Sequence, residues 1–244
     1  MDHHASAERL PLVLVPCFSG APWETKDFPE WRDRPLVTGQ LPDAPSLEAY
    51  ADIVEAWAGG LDEYVLVGDS FGASVALALA ARRPAGLRAL VLSGGFAKAD
   101  VSTLTRARAG AARLLAGPGY PITVFFHVQS LGSRFDPPGT AAALRSIFLH
   151  HADAATFSHR AAIVLATDLR PSLDRIAVPT LVLTPEDDRL IGPAAARELT
   201  AGIPGATELV LPGTGHLFRF THVHEYATAV DRFLSGRIGE SAAA

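Results

Sequence analysis

Short, wholly apolar runs alternate with helix-patterned segments along most of this 244-residue chain. That alternation restricts the fold more than any other feature. PLVLV (11–15) is β-branched and has no polar position, as expected of a strand buried on both faces. YVLVG (64–68), LRALVLSGG (87–95), VPTLVLT (178–184) and TELVLP (207–212) read the same way, and RPLVTG (34–39) is a weaker strand. Between them lie helices. SLEAYADIVEAWAGG has Ser46 as its N-cap and stops at Gly59-Gly60. SVALALAARR (74–83) runs to Pro84, PAAARELTAGI (193–203) has Pro193 at its start, and HVHEYATAVDRFLSG (222–236) closes the chain. Strands joined by helices of this length require parallel pairing, because a hairpin cannot make the crossover. The fold class is therefore α/β, a mostly parallel sheet flanked by helices.

The alternation breaks at residues 96–170. RARAGAARLLAG, TAAALRSIFLHH and ADAATFSHRAAIVLA have helical patterns, separated by the turn clusters GPGYP and DPPG. Helices inserted after the strand near residue 93 would form a cap over the carboxyl ends of the strands, where open α/β sheets bind ligands. The expected organisation is a core from 1–95 and 171–238, a helical cap at 96–170, and a disordered tail at 239–244. Hydrophobic residues make up 48% of the chain, enough for one full core. A net charge of −5 with no basic stripe argues against nucleic acid as a partner. The single cysteine, Cys17, rules out an internal disulfide. MDHHASAERL lacks the cationic and apolar parts of a signal peptide, and no apolar stretch is long enough for a membrane span. The expectation is a cytoplasmic protein with a small-molecule partner and no membrane contact; oligomeric state is not encoded legibly.

VLVGDSFGASVA (65–76) places Ser70 between Gly68 and Gly72, where a strand meets a helix. Glycines two residues to either side permit a tight turn that lifts the serine hydroxyl above the sheet. The first N–H groups of the following helix are unpaired and can face developing negative charge. A serine needs a base to act as a nucleophile. His216, in LPGTGHLF directly after the last strand, is the candidate. The orienting acid should follow the preceding strand, in TPEDDRLIG, where Glu186, Asp187 and Asp188 all qualify by chemistry.

Other residues carry blander readings. His222 and His224 lack a carboxylate or thiol cluster, so no metal is expected. His150-His151 reads as a solvated helix end, and Arg106, Arg108 and Arg113 as a solvated face. Phe125, Phe126, Phe135, Phe148 and Phe157 serve either as cap core or as an apolar pocket lining.

VGDSFGASVALALA, DLRPSLDRIAVPTLVLTPEDDRLI and IPGATELVLPGTGHL together resemble the capped serine hydrolases of the α/β-hydrolase fold superfamily, over nearly the whole chain. The resemblance implies that Ser70 is the nucleophile, Asp188 the acid, with Arg189 after it, and His216 the base. Two backbone N–H groups, of Phe18 and Phe71, would form the oxyanion hole. Three departures stand out. Pro16-Cys17 replace the family's His-Gly, with Cys17 read as a small buried apolar residue. Pro185 replaces a glycine near the acid, and Gln40 replaces an aspartate in LVTGQLPDAPS. The segment between the first two strands is short, implying a reduced first helix. The implied activity is hydrolysis of carboxylic esters with a small to medium apolar part, through an acyl-enzyme and without a cofactor. Lactone, thioester and carbon–carbon bond hydrolysis use the same residues and stay open, as does a slow-turnover ligand receptor of the same fold.

Overall fold

The structure is a computed structural model that describes residues 10–99 and 119–241. Six strands form one sheet: β1 (Leu12–Val15), β2 (Leu36–Val37), β3 (Tyr64–Asp69), β4 (Leu87–Ser93), β5 (Thr180–Asp187) and β6 (Thr207–Gly215). Their order is β2-β1-β3-β4-β5-β6, and every neighbouring pair is parallel. The direction of winding reverses between β1 and β3. Crossover connections on either side of that point leave to opposite faces, which opens a crevice at the carboxyl ends of these two strands. The loop after β1 and the turn after β3 both emerge there.

Both faces of the sheet are covered, which is why the strand sequences do not alternate. Val13, Val15, Leu66, Leu90, Leu92 and Val182 pack on one side against α1 (Leu47–Ala58), α2 (Phe71–Ala80) and α6 (Pro193–Gly202). Leu12, Leu14, Val65, Val67, Val91 and Leu183 point the other way, onto α8 (Val223–Ser241). Fully burying each such side chain stabilises the fold by about 1.5–3 kcal/mol. No α-helix forms between β1 and β2. Two short 3-10 turns, Thr25–Asp27 and Pro29–Trp31, stand there instead. Trp23, Phe28 and Trp31 cover the sheet in its place, the last two stacked at 4.7 Å and Trp31 bonded to Asp231 of α8.

Helix boundaries differ from expectation where local chemistry intervenes. Ser46 caps α1 by accepting from the Ala49 N–H at 3.2 Å, as its position predicted. α2 begins at Phe71 rather than residue 74, because the glycine-flanked turn feeds directly into it. It ends at Ala80; Arg83 adopts a left-handed φ of 58° before Pro84, which cannot continue a helix. α8 runs to Ser241, so the expected tail at 239–244 starts inside its last turn, and residues 242–244 lie outside the described residues.

Between β4 and β5 lie α3 (Tyr120–Leu131), α4 (Thr140–His151) and α5 (Ala154–Ala166). RARAGAARLLAG, with Arg106, Arg108 and Arg113, falls outside the described residues. These helices share a small core of their own, built from Val124, Val128, Leu131, Leu144, Phe148 and Phe157, which Leu217 joins from the loop after β6. Arg160 of α5 is fully buried and holds this layer to the sheet. Its guanidinium donates to the Phe18 carbonyl at 2.9 Å, to the Leu41 carbonyl at 2.5 Å and to the Tyr50 hydroxyl at 3.1 Å. Among the described residues, no helix is long and apolar enough to cross a membrane.

Candidate active site

Ser70 sits between β3 and α2 with φ 55° and ψ −114°. Among the described non-glycine residues only Arg83 shares a positive φ. Such a conformation costs about 1–3 kcal/mol and persists only where the surroundings enforce it. Here the Ser70 N–H is tied to the Ser93 carbonyl at 2.8 Å, and the flanking glycines let the backbones close in. A Cβ at Gly68 would lie 2.5 Å from the Gly72 carbonyl, and one at Gly72 would collide with the Pro16 carbonyl. The G-x-S-x-G pattern is thus a packing requirement: α2 starts against the end of β1.

His216 follows β6 and reaches back across the strand ends. Its Nε2 lies 3.0 Å from Ser70 Oγ, and its Nδ1 lies 2.8 Å from Asp188 Oδ2. The other Asp188 oxygen accepts the N–H groups of Leu190 (3.0 Å) and Ile191 (2.9 Å). Both side chains are almost fully buried. Burial works against charge on the imidazole, but Asp188 outweighs it and raises the pKa of His216 above its ordinary value. Burial likewise opposes ionisation of Asp188, yet His216 and the two N–H groups hold its carboxyl below the usual range.

Of the three acids open at the sequence level, only Asp188 reaches the histidine. Asp187 accepts from Ser133 Oγ at 3.0 Å and pairs with Arg189 at 3.2 Å. Glu186 accepts the Gly213 N–H at 2.7 Å. Pro185 does disturb the strand, since the β5–β6 register shifts between Pro185 and Asp187. The disturbance lies before the turn and leaves Asp188 facing inward.

Ser70 opens into a cavity of about 270 Å³ between the strand ends and α3–α5. Phe18 and Phe71 line it, and among the described residues neither backbone N–H has an acceptor. Cys17 lines it too. The Cys17 backbone keeps a negative φ; Gly20 supplies the left-handed residue instead, at φ 76°. The cysteine is buried but not purely apolar in its contacts, with Sγ 3.4 Å from Ser19 Oγ and 3.9 Å from an Arg219 nitrogen. Of the five phenylalanines singled out in the sequence, Phe126, Phe148 and Phe157 line the cavity, whereas Phe125 and Phe135 do not. His151 is more than a solvated helix end: its Nδ1 is 2.6 Å from Gln40 Oε1, so the residue replacing the family's aspartate holds α4. His224 pairs with Glu30, and His222 contacts Thr221.

Sequence reasoning missed two features. Asp69, just before Ser70, forms a buried ion pair with Arg219, three residues after His216, at 2.7 Å. The guanidinium also lies over the rings of Trp23 and Phe220. The pair locks the serine turn to the histidine loop. No local pattern announces it, because 150 residues separate its partners. The second is His127 of α3, which lines the cavity among the rings of Phe18, Phe148 and Phe157. Burial, reinforced by charge repulsion from His216, pushes its pKa down to about 4, so it is neutral.

Fold and site together define a class: an open parallel α/β protein with a serine–histidine–aspartate hydrogen-bond chain at the carboxyl ends of its strands. The chain belongs to the alpha/beta hydrolase fold family, whose sequence profile matches residues 16–223. A protein of Klebsiella pneumoniae (strain 342) named for carbamate hydrolysis, RutD, is 31% identical over 180 residues, which is 70% of this chain and 65% of that protein. Among solved structures, an enol-lactonase from Burkholderia xenovorans LB400 superposes with a TM-score of 0.78 at 21% identity, covering 93% of this chain and 92% of that one. A thermophilic esterase from Thermogutta terrifontis gives 0.76 at 20% identity, covering 92% and 89%. At such identities the structural likeness speaks for the fold alone.

Proposed function

We propose that this chain is a serine hydrolase of carboxylic esters, with Ser70, His216 and Asp188 as its catalytic triad. The observation that carries the reading is the unbroken chain from Ser70 Oγ through His216 to Asp188, ending at an apolar cavity. Ser70 Oγ attacks the ester carbonyl while Nε2 of His216 takes its proton. Asp188 keeps the imidazole proton on Nδ1 and stabilises the imidazolium that forms. The oxyanion develops between the N–H groups of Phe18 and Phe71, each such donor contributing roughly 10²–10³ in rate. The tetrahedral intermediate collapses, and the imidazolium gives its proton to the departing alcohol. Water then attacks the acyl-enzyme by the same route, and no cofactor enters. The helices α3–α5 act as a cap that shapes the site for a small molecule, and the setting is cytoplasmic.

Carbamate and lactone hydrolysis form the second reading, favoured by the names of the Klebsiella relative and the Burkholderia neighbour. The serine attack is the same: a carbamate that loses its alcohol leaves a carbamoyl-enzyme, and an opened lactone keeps its alcohol tethered to the acyl group, before water releases the acid. A fluorophosphonate should add once, at Ser70, and Ser70→Ala should remain unlabelled. A panel of chromogenic esters, lactones and carbamates then ranks the substrates. A folded protein that is unlabelled and turns over none of them overturns the hydrolase reading.

A further inference from the structure

Three polar side chains of α3 line this cavity without a part in the proposed chemistry; Thr123 and Ser130 donate their hydroxyls to backbone carbonyls, of Gly119 and His127, and the His127 side chain has no such partner. It lies on α3, enclosed by Phe18 at 5.4 Å, Phe148 at 5.1 Å and Phe157 at 5.2 Å between ring centroids. Among the described residues its Nε2 is buried without a hydrogen-bond partner. A buried polar atom left unpaired costs about 1–3 kcal/mol, so a fold rarely keeps one without use. Packing alone would be served better by leucine or phenylalanine at this position.

We propose that His127 is a specificity residue that hydrogen-bonds an uncharged polar group (a ketone, hydroxyl or amide) on the otherwise apolar part of the substrate. This rests on reading the cavity as the substrate pocket of a Ser70 hydrolase. A plain hydrocarbon chain would leave the imidazole without a polar partner. A carboxylate is disfavoured, because the imidazole is neutral and supplies no countercharge. A neutral imidazole offers one donor and one acceptor, which matches a carbonyl or hydroxyl. The preferred substrates are therefore esters bearing a second, uncharged oxygen or nitrogen function away from the scissile bond.

The test uses ethyl esters of oxo acids with the ketone at successive chain positions, each against its methyl-branched isostere. Ethyl levulinate against ethyl isocaproate is one such pair, and monoethyl succinate is the charged member of the same shape. Hydrolysis is followed by proton release. At one chain position, His127→Leu should lower the oxo-to-branched ratio of kcat/KM by tenfold or more while turnover of the branched ester is retained. His127→Gln should recover part of that ratio, and monoethyl succinate should gain nothing from the histidine. An unchanged ratio at every position, or an equal loss on both esters in a folded variant, overturns the inference. Its failure is separable from failure of the hydrolase reading. In Ser70→Ala the intact esters are titrated while the His127 ring nitrogens are observed by NMR. A shift with the oxo ester and none with its isostere upholds recognition even if wild type hydrolyses neither. No difference between them overturns it.

Discussion

At the scale of single residues, the site separates two adjacent aspartates by what holds them. Asp188 is buried against His216, and Asp187 is tied to Ser133 and Arg189 at the surface. Asp188→Asn replaces an acceptor with an amide that favours the wrong imidazole tautomer, so kcat should fall by roughly 10²–10⁴ on a simple ester. Asp187→Asn should stay within about tenfold of wild type. Steady-state kinetics on both variants, with circular dichroism for folding, checks the pair. The pH profile follows from the same contact. His216 accepts a proton only when neutral, and Asp188 favours its charged form. Activity as kcat/KM should therefore fall as pH is lowered, with a midpoint above the ordinary imidazole value of 6.5. In Asp188→Asn the residual activity should titrate at a lower pH; an unmoved midpoint would detach the titration from His216. Ser70 and His216 stand out in the sequence because each lies at a strand end, the serine with glycines two residues to either side and the histidine directly after Gly215. His127 was not, because nothing in PITVFFHVQSL distinguishes a cavity imidazole from a packed one.

Among the elements, the buried Asp69–Arg219 pair joins the turn after β3 to the helix that follows His216, α7 (Phe218–Thr221). Removing one partner strands the other charge in an apolar setting, which costs about 3–5 kcal/mol. Asp69→Asn and Arg219→Met should each lower the urea midpoint on that scale, and the double variant should lose less than the sum. Additive losses would mean that the two side chains are not coupled. The inner strands β1, β3, β4 and β5 were readable because they are buried on both faces and bounded by turn residues. α3 was not, since its β-branched and aromatic residues have poor helix propensity and its register is set by packing on α4 and α5. The loss of the first helix followed from the short β1–β2 segment, but the aromatic cover that replaces it depends on contacts with α8 nearly 200 residues away.

For the whole molecule, the cavity belongs to two layers at once. The sheet supplies Ser70, His216 and the Phe18 loop, while α3–α5 supply Phe126, His127, Phe148 and Phe157. Chemistry and selectivity should therefore separate under mutation. Phe126 lines the cavity yet is 53% exposed, so Phe126→Ala should leave folding intact. It should shift preference among acyl lengths while changing kcat on an acetate ester by less than about threefold. An unchanged length profile would remove the helical layer from substrate selection. The buried Arg160 gives the two layers a further connection. It sits in α5 but grips the carbonyl of Phe18, so the upper layer also fixes the loop that carries one of the two N–H groups proposed for the oxyanion hole.

The serine and its histidine are 146 positions apart, and the strand that delivers the histidine is the last in the sheet. During synthesis the amino-terminal elements leave the ribosome first and begin to fold before the rest exists. Ser70 and Asp69 have then emerged while His216 and Arg219 are still being made. Asp69 waits without its countercharge, and the hydroxyl has no base. On the proposed reading, a growing polypeptide of this kind is chemically silent until nearly all of it has emerged, and a prematurely terminated product carries Ser70 without the histidine that would activate it.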